Sequence, residues 1–408
     1  MMGFSEIKEK KKFNSIIINE NKFSFGDLNE DNNLNKNNEN DNNKNKKDES
    51  QNIENKINKY KKSKSTIEEI KKMPKIIINP NNTNEQYKVI RICGTGYYNK
   101  VYQCILNKPK ENNKNIKNEN KYFAIKTIYK KYANNEKSLE HLNCELKILE
   151  NLDSIYIIKV INVIKIHKNI TNIDKPYIVY PYYNLDLHTL MKLTKYLIPI
   201  EFIKLILHDV YLGLNYLHKN KIIFRDLKPE NVIIDFNTGI CKLIDFGLAY
   251  KFNNDEEKLY KICGTHEYLS PEVIKKEGYD YDFDYWTFGV FAYELFYGFS
   301  PFTGKSNDEI FENILYQKII FEFEEDENYK KKIIDEDLKD LIKEILDKDP
   351  YLRIEWSNIP FHPFFKDIKF NCDNYNLIDN KEKRKNFVKF LNKYKNNIIY
   401  IIDETIKK

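Results

Sequence analysis

The chain has 408 residues, a formal net charge of +6 at pH 7 and 41% hydrophobic residues, which is enough apolar material for one or two substantial cores. Much of the basic excess comes from lysines in low-complexity stretches, so we expect no dedicated binding of nucleic acid. No apolar run approaches the roughly 20 residues that span a bilayer, so we predict no membrane span.

Cysteine spacing bears on the cellular compartment. No two cysteines form a Cys-x-x-Cys pair, which argues against a zinc site and a disulfide framework. With no recognisable signal peptide, this favours a reducing compartment and a cytoplasmic location. The lysine cluster KEKKK near the start is better explained as a solvated run than as a nuclear signal, so the nucleus stays an alternative. The cysteines are Cys93, Cys104, Cys144, Cys241, Cys263 and Cys372.

The first part of the chain, residues 1–84, is dominated by Asn, Lys, Asp and Glu, as in NNLNKNNENDNNKNKKDES. Such a segment cannot bury enough apolar surface to offset its chain entropy, so we predict that it is disordered. Ordered structure is expected from about Tyr87 onward.

Beyond that point, predicted strands precede predicted helices. YKVIRI and KVYQCIL indicate two strands around a glycine-containing turn, and KYFAIKTIY indicates a third strand after a polar insertion, NKPKENNKNIKNEN. LEHLNCELKILENL has helical spacing of apolar residues, and so does IEFIKLILHDVYLGLNYLHKN, at Ile203, Ile206, Val210, Leu214 and Leu217. This order predicts an α+β protein of two lobes, a small β-rich lobe and a larger helical lobe.

Five short motifs follow one another along these elements: CGTGYYNKV, AIK, IFRDLKPEN, DFG and SPE. Their order and spacing resemble the signature of the eukaryotic protein kinases over residues 87–366, and CGTHEYLSPE and FRDLKPEN look most like the AGC group of serine/threonine kinases. The resemblance implies a bilobal kinase domain followed by a tail, residues 367–408. It also implies ATP and Mg²⁺ as cofactors and proteins with Ser or Thr acceptors as substrates.

The glycine motif resembles the loop that covers the nucleotide phosphates. Gly94 and Gly96 lack a Cβ, which lets backbone amides approach phosphate oxygens, while Asn99 replaces the third family glycine. Taken alone, the segment would be an ordinary glycine hairpin. The resemblance assigns the nucleotide to the loop, to apolar residues around adenine and to an ion pair: Cys93, Gly94, Thr95, Gly96, Tyr97, Tyr98, Asn99, Lys100 and Val101 of the loop, Val101, Ala124 and Ile233 around adenine, and Lys126 with Glu145.

The stretch IIFRDLKPENVII places five functional side chains between two apolar runs, where a solvated turn needs none of them. By resemblance, Asp226 receives the proton of the substrate hydroxyl, and Lys228 neutralises charge on the transferred phosphoryl group. Asn231 and Asp245 are oxygen donors suited to Mg²⁺. The stretch is thus the predicted catalytic loop, and these four residues are the predicted catalytic and metal-binding set.

The activation segment departs from the family pattern. Lys261 lies where the family has a threonine, two residues before the cysteine of CGT, while Arg225 matches the arginine that pairs with a phosphorylated loop. We therefore expect a carboxylate of residues 255–257 to reach Arg225 as a permanent substitute for phosphate. Phosphorylation of Tyr260 or Thr265 is the alternative, and Thr265 is the poorer candidate because its family counterpart contacts the catalytic loop.

Further matches are structural. Glu272 and Arg353 resemble the ion pair that anchors the activation segment, and Asp284 resembles the aspartate that braces the catalytic loop. Tyr180 occupies the gatekeeper position, where its ring is expected to narrow the back pocket, and Asp186 is expected near the ribose. In the tail, NFVKF imitates a Phe-x-x-Phe motif, but helical spacing favours a helix packed on a lobe or a partner, through Phe387, Leu391, Tyr394, Ile398 and Ile401.

Glu230 matches a residue that pairs with upstream arginines in AGC kinases, which predicts a signalling kinase whose substrates carry basic residues; a solvated loop acid is the alternative.

A pseudokinase scaffold would keep the fold without the chemistry, and a small-molecule kinase would lack the segment GTHEYLSPE. A third alternative makes the Lys/Asn-rich arm a nucleic-acid-binding part that the kinase regulates.

Overall fold

A computed structural model describes the protein in seven stretches, residues 74–80, 82–95, 99–107, 122–128, 136–166, 175–321 and 335–397. The predicted disorder of residues 1–73 lies outside these stretches. So do residues 108–120 of the polar insertion and three residues assigned to the phosphate loop, Gly96, Tyr97 and Tyr98.

The first lobe is built on one antiparallel sheet of six strands in the order β1-β2-β3-β4-β6-β5. In β4, alternate side chains point to opposite faces, because the side-chain period of a strand is two. Phe123 and Ile125 join an apolar cluster on one face, while Ala124 and Ile128 pack with the helices on the other. The strands are β1 Ile76–Asn79, β2 Asn82–Thr95, β3 Asn99–Asn107, β4 Tyr122–Ile128, β5 Asn162–Ile166 and β6 Lys175–Pro181.

The sheet begins earlier than the sequence predicted. Strand β1 pairs with β2, with Ile77 opposite Tyr87, and Ile77 is buried against that ring. The prediction of disorder up to residue 84 is therefore wrong for residues 74–80 and 82–84. A run of three isoleucines, Ile76 to Ile78, suffices for one edge strand, and an average over a long polar segment conceals it.

The second lobe is mainly helical and carries two short strand pairs, so the predicted α+β fold of two lobes is confirmed. The pairs are β7 Ile222–Ile223 with β10 Tyr250–Lys251, and β8 Val232–Ile234 with β9 Cys241–Leu243. The helices are α1 Glu136–Leu149, which packs on the sheet, α2 Leu187–Leu193, α3 Ile200–Lys219, α4 Pro271–Ile274, α5 Asp282–Tyr297, α6 Asn307–Tyr316, α7 Glu336–Ile345 and α8 Lys381–Asn392. Among the described residues, no helix combines the length and the apolar content needed to cross a bilayer.

Two helices form the centre of this lobe. The predicted apolar stripe of α3 is buried throughout, from Ile203 to Leu217. Helix α5 is apolar on nearly every side, so it can be stable only when protein covers every side. Its Trp286 stacks on Phe302 at 5.7 Å between ring centroids and is fully buried. Helix α5 therefore provides a rigid base for the loops that start or end at it.

The C-terminal helix α8 packs on α3. Phe387 is fully buried and stacks on Phe202 at 5.0 Å between centroids. Arg384, which is only 2% exposed, donates to both carboxylate oxygens of Asp209 at 2.5 and 2.9 Å and to the carbonyl of Gly239 at 3.0 Å. The tail thus forms the predicted packed helix, although Ile398 and Ile401 lie outside the described residues.

The segment before α8 crosses the loop that follows α1. The amide of Ile155 donates to the carbonyl of Tyr375 at 3.1 Å, and the hydroxyl of Tyr156 donates to the carbonyl of Leu377 at 3.4 Å. This contact connects the tail to the end of the helix that carries Glu145.

Replacement of Arg384 by leucine is expected to lower the free energy of unfolding by about 3–5 kcal/mol, because the buried carboxylate of Asp209 would lose its counter-charge. Lys383→Leu is the matched control. Lys383 pairs with Asp367 at 2.8 Å on the surface, where such pairs contribute about 0–1 kcal/mol. Urea unfolding followed by circular dichroism measures both variants, and equal losses would contradict the assigned importance of the buried pair.

Candidate active site

The catalytic-loop backbone is held by one buried carboxylate at the start of α5. Asp284 accepts hydrogen bonds from the amide of Phe224 at 2.8 Å and the amide of Arg225 at 2.9 Å, and its Oδ2 lies 2.8 Å from Nε2 of His218. Arg225 has a positive φ of 67°, a conformation that costs a residue with a side chain about 1–3 kcal/mol. The predicted bracing role of Asp284 matches this geometry.

The side chains of the loop converge on Asp226. Its Oδ2 accepts from Nδ2 of Asn231 at 2.8 Å, and its Oδ1 accepts from Nζ of Lys228 at 3.1 Å. Lys228 also lies 3.4 Å from the hydroxyl of Thr265, so this threonine contacts the catalytic loop as the resemblance implied. Burial raises the pKa of Asp226, against the opposing effect of Lys228.

Lys126 connects three segments of the chain. Its Nζ donates to both oxygens of Glu145 at 2.8 and 2.7 Å and to Oδ1 of Asp245 at 2.9 Å. Burial alone would lower the pKa of Lys126, but the carboxylates of Asp245 and Glu145 outweigh it and raise that pKa. The predicted pair of Lys126 and Glu145 is therefore present, and Asp245 is added to it.

The described part of the nucleotide cleft follows from strand register. Gly94 lies opposite Val101 in the pairing of β2 with β3, and Val101 lies opposite Lys126 in the pairing of β3 with β4. A Cβ added to Gly94 would meet Val101 at 3.5 Å, an ordinary contact, so the fold itself does not require glycine there. The last pair described between these two strands is Thr95 opposite Lys100.

The remaining adenine and ribose candidates lie at the junction of the lobes. Ala124 is opposite Tyr180 between β4 and β6, and Ile233 forms a bridge with Asp186. The carboxylate of Asp186 caps α2, where it accepts from the amide and the hydroxyl of Thr189, both at 2.8 Å. Asp186 therefore already has two hydrogen-bond donors within its own helix.

Two residues could supply oxygen ligands to a divalent cation. Asn231 commits its amide N–H groups to the carbonyl and carboxylate of Asp226, which leaves its Oδ1 as the atom for a cation. Asp245 binds Lys126 through Oδ1, and its side chain is 45% exposed. Both are the oxygen ligands that Mg²⁺ prefers.

Arg225 has neutral partners in place of the predicted carboxylate. Its Nε donates to the carbonyl of Leu248 at 2.7 Å, and its Nη1 donates to the hydroxyl of Tyr279 at 3.2 Å. Its guanidinium also lies 5.7 Å from the ring centroid of Tyr250.

The acidic run bonds to nearer groups. Glu257 accepts from the hydroxyl of Tyr250 at 2.5 Å and the amide of Asn253 at 2.8 Å, while Asp255 pairs with Lys221 at 3.0 Å. The prediction that a carboxylate of residues 255–257 reaches Arg225 is therefore wrong, because the guanidinium bonds to neutral groups and nearer donors bind Glu257 and Asp255.

The predicted anchor of the activation segment is present. Arg353 binds both oxygens of Glu272 at 2.9 and 2.8 Å, and both residues are buried. A bidentate geometry of this kind fixes orientation as well as distance.

Sequence reasoning missed an acidic group beside the catalytic loop. Glu294, in α5, accepts a hydrogen bond from the hydroxyl of Tyr268. Burial raises the pKa of Glu294 to about 8, and the neighbouring carboxylates Glu230 and Glu267 add to this effect. Glu230 also lies 3.5 Å from Nδ1 of His188. The available signal was a lone charged residue in the apolar run GVFAYELFY.

This arrangement of lobes, lysine pair and catalytic loop is that of a protein kinase. A family model described as "Protein kinase domain" matches residues 87–365, and the chain belongs to this family. Members of the family generally use ATP and Mg²⁺.

Curated relatives are serine/threonine kinases of the AGC type. The chain is similar to the cAMP-dependent protein kinase catalytic subunit of Dictyostelium discoideum, with 31% identity over 72% of this chain and 42% of that protein. It is also similar to serine/threonine protein kinase ypkA of Aspergillus fumigatus, with 28% identity over 70% and 41%, and to serine/threonine-protein kinase WAG2 of Arabidopsis thaliana, with 29% identity over 73% and 69%. The chain thus spans less than half the length of the first two relatives.

Asp284→Asn is expected to loosen the catalytic loop, because an amide keeps one acceptor oxygen but turns an N–H group toward the second backbone amide. Hydrogen exchange at Phe224 and Arg225 should quicken by at least tenfold, or about 1.4 kcal/mol. Asp282→Asn, in the same helical turn, is the control and should leave this exchange unchanged. Similar exchange in the two variants would argue against the bracing role of Asp284.

Proposed function

We propose that the chain is an ATP-dependent serine/threonine protein kinase that transfers the γ-phosphoryl group of ATP to Ser or Thr hydroxyls of proteins. The observation that carries the proposal is the contact of Lys126 with Glu145 and Asp245 in a fold whose catalytic loop brings Asp226 together with Lys228. The phosphate loop, with Val101, Ala124 and Ile233 for adenine, would complete the nucleotide site.

In the proposed mechanism, each side chain has a separate task. Lys126 holds the nucleotide phosphates, while Asn231 and Asp245 hold Mg²⁺, which would neutralise phosphate charge when bound. Asp226 orients the acceptor hydroxyl and receives its proton, and Lys228 faces the charge that develops on the transferred group. Hydrogen bonds from Asn231 and Lys228 already orient Asp226, while Lys126 would exchange one of its carboxylate bonds for a phosphate oxygen.

The intact set of catalytic residues counts against the pseudokinase scaffold. A scaffold would not need Asn231 to donate hydrogen bonds to both the backbone carbonyl and the carboxylate of Asp226. Nor would it need a buried lysine that binds two carboxylates, because a buried ion pair often adds little net stability to a fold.

Asp226→Asn is expected to reduce kcat to below a tenth of the wild-type value, because the variant cannot accept the hydroxyl proton. MgATP affinity should stay within about threefold, since the lost charge faces the acceptor rather than the nucleotide. Steady-state kinetics on a basic protein and calorimetric titration with MgATP give the two values. Asp308→Asn, exposed on α6, is the control. A kcat above a tenth would mean a loss of less than about 1.4 kcal/mol and would refute the assigned role.

We further propose that the substrates carry basic residues upstream of the acceptor, which suits a signalling kinase. Glu230, Glu267 and Glu294 lie near one another beside Lys228, and their mutual repulsion helps raise the pKa of Glu294. An arginine side chain would relieve this repulsion and gain charge-assisted hydrogen bonds. His188 near Glu230 is the group that a peptide arginine would compete with.

Glu230→Ala is expected to reduce the preference for a peptide with upstream arginine over its alanine counterpart by at least about fivefold in kcat/KM, because a charge-assisted hydrogen bond contributes about 1.5–3 kcal/mol. The exposed Glu277 supplies the control variant, Glu277→Ala. If Glu230 is only a solvated loop acid, the preference will not change in either variant.

A cytoplasmic location, with the nucleus as alternative, remains part of the proposal. All six cysteines are unpaired, which supports a reducing compartment. Protein substrates are the proposed partners, and a role of the Lys/Asn-rich arm in nucleic-acid binding is not part of the proposal.

A further inference from the structure

The gatekeeper tyrosine makes a polar contact that its steric role does not need. The hydroxyl of Tyr180 donates to Oε1 of Glu145 at 3.2 Å. Tyr180 is 6% exposed and Glu145 is 2% exposed, so water does not compete freely for either group. A ring that only narrowed the back pocket would do so equally well without a hydroxyl.

Strand register explains how the hydroxyl reaches this carboxylate. Tyr180 of β6 lies opposite Ala124 of β4, two residues from Lys126, so all three side chains leave the same face of the sheet. Helix α1 packs on that face and brings Glu145 to it. The tyrosine and the lysine therefore approach one carboxylate from adjacent strands.

The carboxylate of Glu145 has a full set of donors on the sheet side. Its Oε2 accepts from Lys126 at 2.7 Å, and its Oε1 accepts from Lys126 at 2.8 Å and from Tyr180. Asp245 is the other charged group near it and repels it. With Lys126 alone, the carboxylate could rotate and keep one bond; the hydroxyl fixes the orientation in which both oxygens face the ammonium.

We propose that Tyr180 is a positioning residue for phosphoryl transfer, whose hydroxyl holds the Glu145 carboxylate so that Lys126 is fixed toward the nucleotide. This inference rests on the proposed kinase function. The hydroxyl donates to Glu145, so its effect would pass through Glu145 and Lys126.

The test uses Tyr180→Phe, which keeps the ring and removes only the hydroxyl. We expect kcat/KM for ATP to fall about tenfold, the equivalent of about 1.4 kcal/mol, while KM for the peptide substrate changes less than twofold. MgATP affinity should weaken at least threefold. Tyr211→Phe is the matched control: it deletes another buried hydroxyl, which donates to the carbonyl of Trp356 at 3.2 Å, and should leave these values unchanged at a similar loss of thermal stability.

A double-mutant cycle with Glu145→Ala locates the effect. Without the carboxylate, Tyr180→Phe should cost less than twofold, because the hydroxyl has lost its acceptor. An equal cost in both backgrounds would overturn the proposal, and so would a Tyr180→Phe enzyme with wild-type kinetics and MgATP affinity.

The affinity measurement separates this inference from the proposed function, since it requires no phosphoryl transfer. A wild-type chain that binds MgATP but transfers no phosphate would refute the kinase proposal. The affinity of Tyr180→Phe would still decide whether the hydroxyl positions Lys126.

Discussion

The ammonium group of Lys126 connects the two lobes. Lys126 comes from the sheet, Glu145 from the helix packed on it, and Asp245 from the segment after β9 in the second lobe. Loss of the ammonium would leave the buried carboxylate of Glu145 without its counter-charge, beside the partly exposed carboxylate of Asp245, and breaking a buried pair costs about 3–5 kcal/mol. An apolar replacement of all three could be equally stable, so the charges are best explained by what they position. A phosphate needs a fixed cation, and the two carboxylates fix it.

The second lobe supplies the rigid frame against which this cation is placed. Helix α5 is covered on all sides, and its first turn carries Asp284, which sets the backbone of the catalytic loop. Arg225 keeps its left-handed backbone conformation because two hydrogen bonds hold it: its amide donates to Asp284, and its Nε donates to the carbonyl of Leu248. Asp226 and Asn231 are then oriented by a loop that cannot relax. The geometry of the catalytic loop thus depends on the fully buried carboxylate of Asp284.

Predictability of the site depended on the range of each interaction. Residues in short motifs, such as Lys126 and Asp226, were predicted because identity and spacing within a few residues carry the information. The bond from Tyr180 to Glu145 depends on strand register and helix packing, which no local pattern encodes. Charge complementarity predicted a carboxylate for Arg225, but its guanidinium donates to the hydroxyl of Tyr279 and the carbonyl of Leu248. Neutral acceptors of this kind cannot be recognised from the pattern of charges in a sequence. Strand β1 was missed because three isoleucines are lost in the composition of a long polar segment.

The C-terminal helix α8 is connected to the strand that leads to the site. Arg384 neutralises Asp209, and the same carboxylate accepts the amide of Cys241 at 2.9 Å, where β9 begins. Strand β9 ends at Leu243, two residues before Asp245. The amide of Leu243 donates to the carbonyl of Tyr156, and its carbonyl accepts from the amide of Ile158, both in the loop after α1. The tail crosses that same loop at Tyr375. Hydrogen bonds therefore connect α8 through Asp209 to β9, and the chain continues from the end of β9 to Asp245, which binds Lys126.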